Sequence, residues 1–566
     1  MRPAGREDDM EYRERYAAWL NSPFADEETK AELSAIAGDD KEIYDRFWRD
    51  LAFGTGGMRG LIGAGTNRIN RYTVRRATLG YARYLKKTVE NAAERGVVIA
   101  HDNRRMSRAF CMETAGVLAA EGIVAYIFDG LRPTPELSFA VRRLGAAGGV
   151  VITASHNPPE YNGYKVYDSE GCQLLPHMTD ELIAMIEAVA DPFSVRSLTE
   201  EQAGGLILPV PEELDERYYE AVMAIRLRSV KADNLSVVYS PQHGTGNVPV
   251  RTVLARCGYR VIPVKEQCFP DEDFINTESP NPEMPAAFEK ALALAAEKDA
   301  DVAITTDPDC DRLGVAVRRA KGDYVLMTGN QSGAVLIEYI LSTKKEQGTL
   351  PHDGVMCTTI VTSALGNRVC EHYGVRVDLT LTGFKFIGGK MHEYATQKTG
   401  TYLFGYEESY GCLIADICRD KDGVQASLML CEAAAYYKAQ GKTLLDVLEE
   451  LYARHGYCLD AQTNVYHKGA EGVAKIAALL DDLRKNPPRS VGNATVTAVE
   501  DYLTPAMQTK GFPPSNVLRY LFSDGSFVAV RPSGTEPKCK YYYCVMARDR
   551  AEAEGKLAAF KAAFEV

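Results

Sequence analysis

Thr153-Ala154-Ser155-His156-Asn157-Pro158 sets a serine hydroxyl beside an imidazole. That pairing suits a nucleophile or a serine carrying a covalent phosphate, and it equally suits an N-cap or a turn. Lys165, in Tyr161-Asn162-Gly163-Tyr164-Lys165, adds a cation close by in sequence. A second loop, Asp307-Pro308-Asp309-Cys310-Asp311-Arg312, spaces three carboxylates at alternate positions, from which they can converge on one hard cation. Ligands that are all oxygen suit Mg²⁺, whose usual further ligand is a phosphate oxygen. An EF-hand is excluded, because Arg312 would stand where that loop needs glycine and Arg318 where it needs glutamate. A solvated acidic turn is the plain alternative.

Two further loops carry polar chemistry. Gly405-Tyr406-Glu407-Glu408-Ser409-Tyr410-Gly411 offers carboxylates and a hydroxyl that suit vicinal sugar hydroxyls, although acidic loops are commonly only solvated. Arg531-Pro532-Ser533-Gly534-Thr535-Glu536-Pro537-Lys538 supplies a forked cation, two hydroxyls and a glycine-freed backbone, a compact cradle for one phosphate. An ordinary β-turn fits the same residues. Gly54-Thr55-Gly56-Gly57-Met58-Arg59 fails the dinucleotide pattern, with Arg59 at the last glycine, and Gly383 to Lys390 misses the nucleotide phosphate loop by one residue.

The first three loops follow apolar strand candidates, Gly149–Thr153, Val302–Thr305 and Tyr402–Phe404. In open α/β sheets ligands bind in the crevice beyond strand C-termini. Residues 1–50 have helical periodicity, in Tyr12, Tyr16, Trp19, Leu20 and again in Ile43, Phe47, Leu51. Helix candidates at 72–94, 110–120 and 135–144 then alternate with strands Val97–Ala100, Ile123–Phe128 and Gly149–Thr153, which implies parallel pairing through right-handed crossovers. The alternation restarts at Leu235–Tyr239 and runs through Arg260–Pro263 and a helix at 286–297. It restarts again at Val355–Thr359, with Val375–Leu379 after it. Strand candidates Val517–Phe522, Phe527–Val530 and Tyr541–Val545 then follow closely, as in an α+β domain. Candidate joints lie at Gly204-Gly205, Lys321–Tyr324 and Gly441–Gly456. Three α/β units and a smaller α+β unit fit a chain of 566 residues at about 150 per domain.

Composition narrows the function class. With 65 basic and 77 acidic residues the net charge is −12, which argues against a nucleic-acid partner. No apolar run approaches the ~20 residues of a membrane span, and the charged N-terminus lacks the apolar core of a secretory signal. The 13 cysteines are scattered without a C-x-x-C pair and read as reduced thiols in the cytoplasm.

In this order the loops resemble the α-D-phosphohexomutase family, closest to its longer phosphoglucomutases. The likeness covers almost the whole chain: Phe53-Gly54-Thr55-Gly56-Gly57-Met58-Arg59-Gly60, the Ser155 loop, the Asp307 loop, Thr382-Gly383-Phe384-Lys385, the Glu407 loop and the Arg531 loop. One conservative departure is Gly-Gly-Met at 56–58, where many members carry Ala-Gly-Leu or Ser-Gly-Leu. The resemblance implies an α/β, four-domain architecture: three related α/β domains with mixed sheets and a C-terminal α+β domain around a central cleft, with limits at 1–205, 206–325, 326–448 and 449–566. It implies that Ser155 is the phosphoserine and that Asp307, Asp309 and Asp311 hold Mg²⁺ with its phosphate. Arg59, His156 and Lys165 match positions near the reacting phosphoryl group, and Arg312 follows the metal loop. Thr382, Gly383, Lys385 and Lys421 match substrate contacts. Glu407 and Ser409 grip the sugar, and Arg531, Ser533, Gly534 and Thr535 bind the non-reacting phosphate. The implied substrates are sugar phosphates, with glucose 1,6-bisphosphate as intermediate and activator.

Two other classes fit less well. A metal-dependent serine phosphatase of the zinc type leans on histidine ligands, and the nine histidines here form no such cluster. A non-catalytic sugar-phosphate binder would not need nucleophile, metal loop and cradle together. A sister mutase acting on phosphomannose or phosphopentose shares every loop except details of the sugar grip. Oligomeric state is left open by the sequence.

Overall fold

Short, nearly unbroken apolar runs such as Val97-Val98-Ile99-Ala100 become strands buried on both faces, because helices cover each side of the sheet they join. In the computed structural model, which describes residues 8–54, 56–466, 469–532 and 538–565, the chain forms two compact units. The first comprises Met1–Ile225, Ser236–Gly314 and Ala415–Leu428, and the second Arg226–Leu235, Val315–Ile414 and Met429–Val566.

Seven strands of the first unit form one sheet: β1 (Phe53–Gly54), β2 (Gly57–Leu61), β3 (Val97–His101), β4 (Ala125–Ile127), β5 (Gly148–Ile152), β6 (Tyr161–Tyr167) and β7 (Ile207–Pro209). Their order is β1-β2-β6-β5-β3-β4-β7. β5, β3, β4 and β7 are mutually parallel, as the strand–helix alternation requires. β6 runs antiparallel to both β5 and β2, so the sheet is mixed, as the resemblance implies. Buried Asn162 and Lys165 interrupt its apolar pattern and hide the strand in the sequence. The Gly204-Gly205 pair stands just before β7, a member of this sheet.

Three helices, Asp8–Leu20, Glu27–Ala35 and Asp40–Phe47, bury Tyr12, Trp19, Leu33 and Phe47 against Tyr72. Asn70 caps the next helix, Arg71–Thr88, through a reciprocal bond with Thr73. β8 (Ser236–Ser240), β9 (Arg260–Pro263) and β10 (Val302–Thr306) pair in parallel with β8 in the middle.

β11 (Leu313–Ala320), which belongs to the second unit from Val315 on, and β12 (Asp323–Met327) pair as an antiparallel hairpin. Lys321 and Gly322, the latter at positive φ, form the turn of this hairpin, within the stretch expected as a joint. β13 (Gly354–Thr359), β14 (Arg376–Thr380), β15 (Thr401–Tyr406) and β16 (Cys412–Leu413) stand in the order β14-β13-β15-β16. Helix Leu444–His455 occupies the third expected joint.

The C-terminal sheet is antiparallel throughout: β17 (Tyr457–Tyr466), β18 (Ser490–Val491), β19 (Ala494–Asp501), β20 (Leu518–Phe522), β21 (Phe527–Pro532) and β22 (Lys538–Ala547), in the order β17-β22-β21-β20-β19-β18. Period-two alternation sends Tyr541 and Tyr543 into a core with Leu480 and Phe564, while Tyr542 packs on the other face with Ile360 and Leu381.

Candidate active site

The serine loop leaves the C-terminal end of β5 and is held from below by buried charge. Ser155 itself has φ 52°, a left-handed conformation unusual for a residue with a side chain, and is 2% exposed. Its N–H donates to Thr153 Oγ1 at 2.8 Å, and Thr153 Oγ1 donates to Asp102 at 2.7 Å. Arg104 donates to the carbonyls of Ser155 (2.6 Å), Pro158 (2.8 Å), Tyr161 (3.1 Å) and Asn157. Asp102 lies 3.3 Å from Arg104, and neither side chain is exposed. Gly163 of β6 passes so close that a Cβ would stand 2.3 Å from the Thr153 carbonyl oxygen. Only glycine permits that approach.

The acidic loop arrives from the C-terminal end of β10. Ser155 Oγ donates to Asp307 Oδ2 at 2.7 Å and lies 3.1 Å from His156 Nδ1. The loop is shaped locally: Asp307 Oδ1 accepts from the N–H groups of Asp311 and Arg312, both at 3.1 Å, and Cys310 takes φ 53°. Thr245 donates to the Pro308 carbonyl through both its N–H (2.8 Å) and its hydroxyl (2.9 Å). A Cβ on neighbouring Gly244 would meet Pro308 backbone at 2.4 Å. Asp307, Asp309 and Asp311 are buried, and their carboxylate oxygens lie within 4.8 Å of one another. Asp309 Oδ1 and Asp311 Oδ1 have no hydrogen-bond partner among the described residues. Buried, unpartnered carboxylate oxygens converging on one point fit a hard divalent cation.

Cations surround the acids. Lys165 Nζ lies 2.6 Å from Asp309 Oδ2 and 3.5 Å from Asp311 Oδ2, and Lys421 Nζ lies 3.1 Å from Asp311 Oδ2. Burial works against the Lys165 ammonium, but Asp309 and Asp311 hold its pKa above the usual lysine value, so it stays charged. Burial likewise opposes the Asp311 carboxylate, yet Lys421, Lys165 and Arg312 hold it well below the usual range. Asp307 goes the other way, pushed up by burial and by its neighbours Asp311 and Asp309. Burial and the cations Arg312 and Arg59 push the His156 pKa well down, which keeps its imidazole neutral. Arg312 pairs with Glu283 and lies 3.8 Å from Asp311. Arg59, on β2, donates to Asn157 Oδ1 at 2.8 Å.

The remaining expected residues belong to the second unit. Glu407 Oε1 accepts from the Gly383 N–H at 2.8 Å, so the Thr382–Lys385 turn and the sugar loop meet. Gly383 has φ 117° and opens helix Phe384–Gln397. Ser409 is half-buried beyond β15, and Lys385 is buried with its ammonium 5.3 Å from the Phe386 ring. Arg531 ends β21 opposite Lys540. Tyr542 is held above its usual pKa by burial and by Glu408, while Arg531 opposes the shift, which sets this ring among the sugar-loop acids and the arginine. Ser533, Gly534 and Thr535 lie outside the described residues.

Four models of one family match along the chain: the phosphoglucomutase/phosphomannomutase alpha/beta/alpha domains I, II and III over residues 50–192, 216–322 and 328–455, and the C-terminal domain over 469–560. The chain belongs to the phosphoglucomutase/phosphomannomutase family. Phosphoglucomutase of Staphylococcus aureus (strain MRSA252) is 38% identical over 519 residues, which cover 90% of this chain and 92% of that protein. Phosphoglucomutase of Staphylococcus haemolyticus (strain JCSC1435) is 37% identical over 506 residues, covering 88% and 90%. A solved structure from Thermus thermophilus, provisionally described as a phosphomannomutase, is similar at a TM-score of 0.69 and 26% identity. It covers 92% of this chain and 100% of that chain. The four-domain phosphohexomutase architecture expected from the loops is thus the architecture of this chain.

Sequence reasoning missed Asp102, Arg104, Thr134, Asp420 and the Gln242–Thr245 loop. Thr134 donates to Asp309 Oδ2 at 3.0 Å, and Asp420 Oδ2 accepts from Tyr167 (2.8 Å) and Gln173 (2.9 Å). A usable signal existed for some of them. Asp102-Asn103-Arg104-Arg105 and Gln242-His243-Gly244-Thr245 both follow parallel strands, where polar residues are seldom idle.

Proposed function

We propose that this phosphohexomutase, an isomerase of the intramolecular phosphotransferase type, interconverts glucose 1-phosphate and glucose 6-phosphate through phospho-Ser155. The observation that carries the reading is the placing of Ser155 Oγ 2.7 Å from Asp307 in a buried acidic triad ringed by Lys165, Lys421, Arg312 and Arg59. Its relatives named phosphoglucomutase at 37–38% identity support the choice of sugar.

In this mechanism the Ser155 Oγ–P bond breaks as a sugar hydroxyl takes the phosphoryl group, which makes glucose 1,6-bisphosphate. Return of the other phosphate to Ser155 completes the turnover. Phosphoryl transfer passes through a loose, highly charged transition state, so positioning and charge neutralisation dominate. Asp307, Asp309 and Asp311 would hold Mg²⁺ with the serine phosphate, and the ion would supply neutralising charge. His156, kept neutral, accepts the sugar hydroxyl proton, and Lys165, kept charged, stabilises the transferring oxygens. Glu407 and Ser409 take sugar hydroxyls, Thr382, Gly383, Lys385 and Lys421 add contacts, and Arg531 with Ser533, Gly534 and Thr535 binds the non-reacting phosphate. The domain limits proposed are those expected from sequence, except that the first moves beyond 205 so that β7 stays with its sheet. Cytoplasmic residence is part of the proposal, supported by 13 free thiols. Among the described residues, no helix is long and apolar enough to cross a membrane.

The test supplies glucose 1-phosphate, mannose 1-phosphate and ribose 1-phosphate with bisphosphate and Mg²⁺ and identifies the products. Ser155→Ala should lose turnover by several orders of magnitude; loss of a protease nucleophile costs on the order of 10⁶. Near-normal turnover in that variant would sink the nucleophile assignment. Mannose 1-phosphate as the better substrate would make this a phosphomannomutase, the activity for which the Thermus structure is described.

A further inference from the structure

A second cluster of ligand-type side chains lies in the second unit, on one face of the C-terminal sheet. Cys458 and Asp460 sit two apart on β17, so they share a face, and Cys544 of β22 stands directly opposite Asp460. Cys458 Sγ is 3.4 Å from Cys544 Sγ and 3.8 Å from Asp460 Oδ1, and one ligand atom from each residue lies within 4.8 Å of the others. Cys458 and Cys544 are 3% and 1% exposed, and Asp460 is half-buried.

The N-terminus of the ten-residue helix Ala364–Tyr373 faces this cluster. Its N-cap Ser363 hydroxyl lies 3.2 Å from Cys458 Sγ, and the Ala364 N–H donates to Cys544 Sγ at 3.4 Å. The helix N-terminus opposes the effect of Cys458 and burial, which push the Cys544 thiol up, so an ion must displace its proton. A buried tyrosine of the same unit is also left without a partner. The Tyr406 hydroxyl is buried with no hydrogen-bond partner among the described residues, and the charges of Asp460, Cys370, Cys458 and Cys544 act on it. A buried hydroxyl left unpaired costs ~1–3 kcal/mol, which an added ligand atom within its reach would relieve.

We propose that Cys458, Asp460 and Cys544 form a structural site for a borderline-soft divalent cation of the Zn²⁺ class. Two sulfurs and one carboxylate oxygen suit a tetrahedral Zn²⁺ and are unsuited to Mg²⁺, so the site is chemically distinct from the Asp307 triad. A disulfide is the competing use of two adjacent thiols. Cys458 pairs across the sheet with Met546, which makes Cys544 its diagonal neighbour. Diagonal Cα atoms stand ~7–8 Å apart, beyond the ~4.4–6.8 Å that a disulfide tolerates. An ion accommodates that spacing. Binding forms two metal–sulfur bonds and one metal–oxygen bond, releases the thiol protons to water and oxidises nothing. The bound ion would tie β17 and β22 to the start of helix Ala364–Tyr373.

Co²⁺ is the probe, because thiolate ligation gives intense near-ultraviolet charge-transfer absorption and carboxylate ligation does not. The full-length reduced protein, stripped with chelator and resupplied with excess Mg²⁺, is titrated with Co²⁺ and then with Zn²⁺. The expected result is thiolate absorption saturating at one ion per chain, bleached by Zn²⁺, with a rise in Tm on Zn²⁺ addition. Cys458→Ser and Cys544→Ser should abolish the absorption, Asp460→Asn should weaken binding at least ~10-fold, and Cys268→Ser should leave both unchanged. Absence of the absorption in the wild-type protein overturns the proposal whatever the variants do. So does a Cys458–Cys544 disulfide formed with oxidised glutathione in protein that takes up no Co²⁺.

Discussion

Arg104 touches no expected substrate group, yet its loss should damage catalysis as much as many direct contacts would. Its guanidinium gathers the carbonyls of Ser155, Asn157, Pro158 and Tyr161 and pairs with Asp102 in a fully buried setting. Arg104→Met keeps much of the side-chain length but removes every donor. Asp102 then remains buried without its cation, and breaking one side of a buried pair costs about 3–5 kcal/mol. The serine loop also loses what holds its left-handed turn, and a 1 Å misplacement of a reacting group costs ~10²-fold in rate. Both tryptophans, Trp19 and Trp48, belong to the first unit, so fluorescence-detected urea unfolding reports on the unit that carries the change. The expected outcome is a fall of about 3–5 kcal/mol in stability and ~10²-fold in kcat, with KM nearly unchanged. Adding Asp102→Asn removes the orphaned charge and should restore about 1–3 kcal/mol while leaving kcat low. A single variant that loses under ~1 kcal/mol and keeps its kcat would refute the view that this pair positions Ser155.

Three further outcomes are expected. Thorough chelation should abolish mutase turnover and Mg²⁺ should restore it, while Asp309→Ala should raise the Mg²⁺ requirement; full activity after chelation would make the triad structural. Asp168 has its pKa pushed up by burial from 3.8 to about 6 in the folded chain. The folded state therefore holds this proton more tightly than the unfolded state, so the contribution is complete below pH ~4, falls as pH rises through ~6 and is flat above. Asp168→Asn keeps the acceptor for the Glu170 and Cys172 N–H groups and should remove that slope, at most about 3 kcal/mol, in unfolding measured from pH 4 to 7. For substrate choice, a polar partner left unpaired by the axial 2-hydroxyl of mannose costs about 1–3 kcal/mol, or roughly 5–150-fold, so kcat/KM should favour glucose 1-phosphate over mannose 1-phosphate, with ribose 1-phosphate weaker; parity among the three would refute the assigned grip.

The loops themselves were legible in the sequence. Ser155 beside His156, three alternating aspartates and Arg531 two residues before Ser533-Gly534-Thr535 are local patterns, and local patterns report which chemistry a segment can perform. The parallel strands beneath them were also legible, because Val97–Ala100 and Val302–Thr305 are unbroken apolar runs. What the sequence could not disclose was partnership across distance. Residue order places Lys165 near the serine loop, but only β6 running antiparallel to β5 brings its ammonium 2.6 Å from Asp309, which is 144 residues away. Arg104 and Asp102 look like surface charge after a strand until the sheet buries them under the serine loop. Charge states followed the same division. Composition places a lysine, a histidine and an aspartate near their ordinary pKa values, and only burial beside particular neighbours keeps Lys165 charged, His156 neutral and Asp311 ionised. Electrostatic energy in a low-dielectric interior depends on distances of a few ångströms, and those distances are properties of the fold and not of residue order.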